Sequence, residues 1–140
     1  LQARVVVDLY PHKASLGGIY TGLSSANTFY GLVVACDMPF LNSTLLQCLV
    51  DLAPGFDVVM PRLNNNIEAL HAIYSKNCLP SIKQLLDKGI LQILQPLPLV
   101  KTRYVSEDEV NRYDPEHLSF FNINTQSDLL QAGKIMERDS

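Results

Sequence analysis

The chain has 140 residues, of which 47% are hydrophobic and 18% charged, and its formal net charge at pH 7 is -3. This length suits a single domain, residues 1–140, that can bury a core without metals or disulfides. The acidic balance provides no basic field for nucleic acid or an anionic membrane, so neither is predicted as a partner. No uninterrupted apolar run approaches the roughly 20 residues of a membrane span.

The predicted elements alternate between strand and helix along the chain. β-branched or apolar runs identify most of the strands, as is typical of strands that are buried on both faces. In chain order the predicted strands are residues 5–7, 30–36, 57–60, the later part of 64–75, 102–105 and 118–124.

Helices are predicted between and after these strands, and capping signals delimit them. Asn42 or Ser43 can cap the second helix, Pro80 suits the first turn of the third, and S-E-D-E at 106–109 is a capping-box pattern. In chain order the predicted helices are 19–27, 42–55, 80–89, one opened by 106–109, and 125–138.

The alternation of strands with helices of about ten residues predicts βαβ units. We expect one α/β domain with three layers, in which a mostly parallel sheet carries helices on both faces. Residues 90–100 contain two prolines and show no clean period. They are interpreted as a strand fragment followed by an irregular connection.

The three cysteines, Cys36, Cys48 and Cys78, are too far apart for a C-x-x-C motif. Cys36 and Cys48 lie inside apolar runs, which favours buried, reduced thiols. This pattern predicts a reducing compartment, and we expect a cytoplasmic protein.

Polar side chains end several of the predicted strands. Asp8, Asp37 and Asn124 each close a strand, and Asn122 lies on the same face as Asn124. In open α/β sheets ligands bind beyond the carboxyl ends of the strands, so these side chains are expected at one crevice. Two carboxylates and two amides without a neighbouring lysine suit Mg²⁺. Taken singly, each residue has a simpler alternative as a turn former or helix cap.

The loop before the first helix is a candidate phosphate site. Gly17 and Gly18 allow backbone N–H groups to approach an anion, and a helix dipole favours negative charge there. Glycine pairs before helices are common, however, and neither a G-x-G-x-x-G nor a G-x-x-x-x-G-K-[ST] motif is present.

The histidines do not indicate a catalytic base or a zinc site. His12 and His117 lie in polar surroundings and are predicted to be solvated. His71 alternates with Ala69 and Ile73, which favours a core or edge histidine over a base. No G-x-S-x-G nucleophile motif and no zinc-binding histidine spacing occurs in the sequence.

Four segments match the motifs of one family in order and spacing, across essentially all 140 residues. SLGGIYTGL (15–23) is similar to a P-L-x-G loop, and VVACDMPFLN (33–42) to a D-x-P-[FY]-[LI] segment. EALHAIYSKNCLPSIKQLLDKG (68–89) is similar to a P-L-x-A-x-Y stretch before a helix, and FFNINTQSDL (120–129) to F-x-N-x-N-T-x-x-[DE]-L. The chain thereby resembles the molybdenum cofactor guanylyltransferases, within the nucleotide-diphosphosugar transferase-like fold, a Rossmann-like nucleotidyltransferase fold.

The resemblance implies Mg²⁺-dependent transfer of GMP from GTP to the terminal phosphate of molybdopterin, with release of pyrophosphate. Such a transfer needs positioning and charge neutralisation more than a side-chain nucleophile. Molybdoenzymes or other cofactor-maturation proteins are the implied partners. The matching positions are Asp37 as the catalytic Mg²⁺ ligand on the GTP phosphates, Asp8, Leu16, Gly17 and Gly18 facing the guanosine, and Asn122 and Asn124 on the pterin and metal side.

The sequence departs from the family at two places. The family opens with a strand and a glycine-rich loop, roughly L-A-G-G-x-S-x-R-M-G-x-x-K, whereas this chain starts where the third strand would. We therefore expect these residues to be the C-terminal two-thirds of a longer polypeptide, and the fragment alone to be inactive. The family also often carries an Arg just after the helix that ends here at Gly89, and G-I-L-Q-I-L-Q-P offers none.

Two other interpretations stay open at the level of sequence. A related nucleotidyltransferase of the same fold would use CTP or another phosphorylated acceptor. A non-catalytic relative would bind the pterin cofactor or a partner molybdoenzyme without transferring a nucleotide.

Overall fold

A computed structural model of the chain describes residues 3–8, 15–35, 42–93, 95–117 and 130. Within these residues six strands and four α-helices form. The strands are β1 (Ala3–Asp8), β2 (Tyr30–Ala35), β3 (Val58–Leu63), β4 (Asn66–Ile67), β5 (His71–Ser75) and β6 (Thr102–Val105). The helices are α1 (Leu16–Ser25), α2 (Ser43–Leu52), α3 (Leu79–Asp87), which a 3-10 turn at Lys76–Cys78 precedes, and α4 (Glu107–Asn111).

The strands form one mixed sheet in the order β1-β2-β5-β3, with β6 also pairing with β3 and with β4 pairing with the end of β3. β1 is parallel to β2, and β3 is parallel to β6. β5 is antiparallel to both of its neighbours, β2 and β3. The four strands β1, β2, β3 and β6 therefore share one direction, which confirms the predicted mostly parallel α/β sheet with an antiparallel strand inserted in its centre.

The chain reverses its direction at a tight turn between β3 and β4, and β5 therefore runs antiparallel to β3. Asn64 and Asn65 both have positive φ, 50° and 67°. A two-residue hairpin loop needs this backbone, and asparagine tolerates it better than other residues with a side chain. The sequence N-N-N was interpreted only as a polar loop, so the return of the chain alongside β3 was not predicted.

Successive side chains of the central strands face two separate cores. Val33 packs on the side of α1 and α3, whereas Leu32 and Val34 pack on the side of α2 and α4. The same alternation places Tyr74 in the first core and Ile73 in the second. Helices therefore cover both faces, and the predicted three-layer arrangement is confirmed.

Local signals place the starts of the helices. The Oδ1 atom of Asn42 accepts a hydrogen bond from Leu45 N at 3.0 Å and caps α2. Pro80 lies in the first turn of α3, and Ser106 and Glu109 form the predicted capping box of α4. Each of these predictions rested on a motif of a few residues, whose geometry the backbone of a helix start determines.

Helix α1 begins earlier than predicted, at Leu16. Ser15 caps it, since its Oγ atom accepts a hydrogen bond from Gly18 N at 3.2 Å. Gly17 and Gly18 are therefore residues of the first helical turn and not of a preceding loop.

The region 90–100 is irregular. A single bridge pairs Gln92 with Ser15, and Leu16 N donates to Leu91 O at 3.0 Å. Ile93 and Leu97 are buried in the core on the α1 side. Among the described residues of this segment, β pairing is limited to this bridge, which lies against the start of α1. The predicted strand 118–124 and all of the predicted helix 125–138 except residue 130 lie outside the described residues.

Candidate functional site

The carboxyl ends of β1 and β2 lie side by side. The pairing runs from Ala3 opposite Tyr30 to Asp8 opposite Ala35. The backbone of Asp8 therefore reaches the edge of the sheet beside the strand that leads, two residues later, to Asp37. Asp37, Asn122 and Asn124 themselves lie outside the described residues, so their assignments stay predictions.

The start of α1 lies at the same edge, because the helix follows β1. Leu16 is fully buried, Gly18 is half-buried and Gly17 is exposed. The N–H groups of Leu16 and Gly18 already donate to Leu91 O and to Ser15 Oγ. A Cβ atom built on Gly17 would meet no atom within 4 Å. Gly17 is thus the open position in the first turn of α1, and the assignment of this turn to the nucleotide stays a prediction.

Two further ionisable residues lie near this edge, His71 at the start of β5 and Glu68 just before that strand. Because β5 runs antiparallel to β2, its first residue, His71, lies opposite Val34 near the carboxyl end of β2. Glu68 lies just before it, and His71 N donates to Glu68 O at 3.2 Å. The sequence analysis interpreted this stretch through its apolar alternation and gave Glu68 no role.

His71 is a core residue, as predicted from its alternation with Ala69 and Ile73. Its side chain is fully buried. Burial lowers the pKa of the imidazole to about 4, although the nearby Asp114 carboxylate acts in the opposite direction. The ring is therefore neutral at pH 7, and protonating it would place a charge inside the protein.

Glu68 is half-buried, and burial raises the pKa of its carboxyl group to about 7. Within the part of the chain that the structure describes, this carboxyl group has no hydrogen-bond or ion-pair partner. Its backbone is nevertheless well held, since Glu68 N donates to Pro61 O at 2.9 Å. A carboxyl group with these properties at the edge of the sheet is a candidate binding residue.

A single amide joins the start of α2 to the segment that follows α4. While the Oδ1 atom of Asn42 caps α2, its Nδ2 atom donates to Tyr113 O at 2.8 Å. Asn42 is the last residue of the D-M-P-F-L-N segment that contains Asp37. His117, predicted to be solvated, is half-buried, and its Nε2 atom lies 2.7 Å from Asn111 Oδ1. His12 lies outside the described residues.

Arg62 provides a cation near the carboxyl end of β3. It is exposed, and its guanidinium carbon lies 3.8 Å from the centroid of the Tyr104 ring on β6. Such stacking holds a guanidinium group in place while leaving its N–H donors available. The sequence gave no signal for this pair, because the two residues meet only through the pairing of β3 with β6.

The two described cysteines are free thiols, but Cys48 is only half-buried and not buried as predicted. Cys78 is buried, and burial raises the pKa of its thiol to about 11. Burial also raises the pKa of the half-buried Cys48. Both thiols are therefore protonated at pH 7 and are poor nucleophiles. Cys36 lies outside the described residues.

Asp8 is described as the last residue of β1, whereas the predicted metal ligand Asp37 lies outside the described residues. Among the described residues alone, no group of three or more His, Cys, Asp or Glu side chains could hold a metal ion. The magnesium site therefore stays a prediction. None of the described helices is long and apolar enough to cross a membrane.

The carboxyl ends of parallel strands and an adjacent helix start are where α/β proteins bind phosphate-containing ligands. The chain belongs to the family of the MobA-like NTP transferase domain, whose sequence model matches residues 1–104. The resemblance drawn from the sequence motifs is thereby confirmed.

Individual relatives carry more specific names. The chain is 37% identical over 140 residues to a probable molybdenum cofactor guanylyltransferase of Pelotomaculum thermopropionicum, covering 100% of this chain and 68% of that protein. It is 35% identical over 131 residues to a molybdenum cofactor guanylyltransferase of Desulfosudis oleivorans, covering 93% of this chain and 65% of that protein. It thus spans about two thirds of the length of these relatives.

A solved structure has the same fold. The molybdopterin-guanine dinucleotide biosynthesis protein A of Archaeoglobus fulgidus superimposes with a TM-score of 0.77 at 31% identity. The match covers 89% of this chain and 64% of that one. Fold and family therefore agree, and the family is one of nucleotidyltransferases.

Proposed function

We propose that the polypeptide containing this chain transfers GMP from GTP to the terminal phosphate of molybdopterin. The observation that carries this proposal is the 37% identity to a probable molybdenum cofactor guanylyltransferase over the whole chain. The edge of the sheet supports it, because Asp8 ends β1 beside the strand that leads to Asp37. We also propose that the protein works in the cytoplasm, on the cofactor that molybdoenzymes or other maturation proteins receive.

In the proposed reaction, an oxygen of the terminal molybdopterin phosphate attacks the α-phosphorus of GTP. A new P–O–P bond forms, the bond between the α-phosphorus and the bridging oxygen breaks, and pyrophosphate leaves. Bound Mg²⁺ would neutralise charge on the phosphates, with Asp37 as its ligand. Because the attacking oxygen belongs to the acceptor substrate, the protein needs to align two phosphates and requires no side-chain nucleophile.

The other predicted residues have binding roles in this proposal. Asp8 and the first turn of α1, with Leu16, Gly17 and Gly18, would contact the guanosine side of GTP. The exposed Gly17 leaves room for a ligand to approach the backbone closely. Asn122 and Asn124 would bind on the acceptor and metal side.

Replacing Asp37 tests the proposal in the full-length polypeptide. We expect Asp37→Ala to lower the rate of pyrophosphate release from GTP and molybdopterin by about a hundredfold or more, because the metal loses a charged ligand. The measurement is the Mg²⁺ dependence of that release, with CTP in parallel.

Asp51→Ala is the matched control, since Asp51 is exposed on α2 and its Oδ1 atom only accepts a hydrogen bond from Gln47 at 2.9 Å. It should leave the rate unchanged. Release that is equally fast with Asp37→Ala would contradict the assignment of the metal ligand. Transfer from CTP but not from GTP would identify the related cytidylyl reaction, and nucleotide binding that ignores Mg²⁺ and Asp37 would indicate a non-catalytic binder.

A further inference from the structure

The proposed reaction leaves Glu68 without a role, although its position is well defined. It lies between β4 and β5, where its N–H donates to Pro61 O at 2.9 Å and its carbonyl accepts from His71 N at 3.2 Å. The two residues that follow, Ala69 and Leu70, are only 6% and 8% exposed. These backbone hydrogen bonds and the burial of the next two residues therefore fix the position from which the Glu68 side chain extends.

The position is close to the edge where the nucleotide is proposed to bind. Val34 of β2 lies opposite His71 of β5. Asp37 is three residues after Val34, and Glu68 is three residues before His71. Since three residues span at most about 11 Å, the Cα atom of Glu68 lies within that distance of the Cα atom of His71, which is paired with the carboxyl end of β2.

A half-buried carboxyl group without a protein partner destabilises the free protein when it ionises. Burial raises the pKa of Glu68 to about 7, and no neighbouring charge contributes to that shift. Ionisation therefore leaves a partly desolvated carboxylate for which the described residues supply no donor. A bound ligand that supplies N–H donors would remove this cost.

We propose that the Glu68 carboxylate binds the ring N–H and the amino group of a 2-amino-4-oxopyrimidine ring, the ring that guanine and pterins share. This inference rests on the proposed function, because both substrates of that reaction carry such a ring. The two oxygens of a carboxylate accept two parallel N–H bonds, and this ring presents two adjacent N–H donors on one edge. Cytosine presents an acceptor there, so a carboxylate would also disfavour CTP.

Paired probes in which the second member lacks the amino group at the 2-position test this assignment. GTP is compared with ITP, and pterin with lumazine, in equilibrium binding to the full-length polypeptide and to its Glu68→Gln variant. We expect the wild-type protein to prefer the amino member of one pair by about tenfold or more, and Glu68→Gln to lose most of that preference. The pair that responds identifies whether the ring is guanine or pterin.

Glu107→Gln is the matched control. Glu107 begins α4 at the same edge, and its Oε1 atom accepts a hydrogen bond from Asn64 N at 3.2 Å. It removes the same charge and should keep the wild-type preference in both pairs. Thermal unfolding of each variant checks that the fold is retained.

Two results would overturn the inference. The first is Glu68→Gln with the wild-type preference in both probe pairs. The second is loss of Mg²⁺ binding in that variant with the ring preference retained, which would make Glu68 a metal ligand. If nucleotide transfer is not observed but Glu68→Gln loses ring preference, the binding role holds and only the proposed reaction fails.

Discussion

Glu68 and His71 are three residues apart and affect stability in opposite directions across one pH range. The pKa of His71 is lowered from 6.5 to about 4, so its contribution to folding is present above pH 6.5 and is lost as the pH falls toward 4. The pKa of Glu68 is raised from 4.5 to about 7, so its contribution is present below pH 4.5 and is lost as the pH rises through 7. The two effects partly cancel between these values.

Replacing Glu68 should make the effect of His71 on the pH dependence of stability measurable. We expect Glu68→Gln to raise the free energy of unfolding at pH 8 by on the order of 1–3 kcal/mol, because no carboxylate is then left half-buried. Between pH 5 and about 6.5 the variant should gain stability with rising pH more steeply than the wild-type protein, through His71 alone. Urea unfolding at a series of pH values measures both effects. A variant less stable at pH 8 with an unchanged pH profile would contradict the assignment.

At the scale of elements, Asn42 combines two contacts that substitution can separate. Asn42→Ser keeps a cap for Leu45 N but is too short to reach Tyr113 O, whereas Asn42→Ala loses both. We expect about 1 kcal/mol lower unfolding free energy for Asn42→Ala and a smaller loss for Asn42→Ser. If the contact to Tyr113 positions the Asp37 segment, both variants should raise the KM for GTP equally. Steady-state kinetics of the full-length polypeptide measures these KM values. If KM instead rises in proportion to the loss of stability, Asn42 acts only as a helix cap.

Some elements could be predicted from the sequence and others could not. The helix starts at Asn42, Pro80 and Ser106 were predicted because a cap depends on neighbours within a few residues. The position of Asp8, at the carboxyl end of β1 where ligands bind, was predicted from a general rule for parallel strands. Glu68 was missed, because its place in the site depends on the antiparallel pairing of β2 with β5, which no short motif encodes.

At the scale of the whole molecule, the hydrogen bonds of Asp57 and the proposed chemistry lie at opposite ends of the strands. Asp57 lies just before β3, at the amino end of that strand, and its side chain connects β3 to the end of β5 and to the start of β6. Its carboxylate accepts hydrogen bonds from Lys101 N and Asn77 Nδ2, both at 3.0 Å, and from Ser75 Oγ at 3.3 Å. These bonds, that from Lys101 N first, lower the pKa of Asp57.

Replacing Asp57 should therefore affect folding without affecting binding. We expect Asp57→Ala to lower the free energy of unfolding at pH 7 by roughly 1–3 kcal/mol, since backbone and side-chain donors lose a charged acceptor. The difference from wild type should shrink as the pH falls below 3.8, because the unfolded chain then binds a proton at Asp57, and it should be lost as the pH passes through the lowered pKa of Asp57 in the folded protein. Chemical unfolding measures this, and nucleotide affinity serves as the control. An altered affinity in a folded variant would contradict the separation of the two edges.

The turn at Asn64 and Asn65 also has a consequence for the order of folding. It closes the pairing of β3 with β4 through a two-residue loop and leads directly into β5, so little chain entropy is lost in bringing these strands together. The parallel pairs β1–β2 and β3–β6 each have to close a much longer crossover. The hairpin in the centre of the sheet is therefore the pairing that can form first. The edge that carries Asp8 and leads to Asp37 is then completed only after this hairpin has formed.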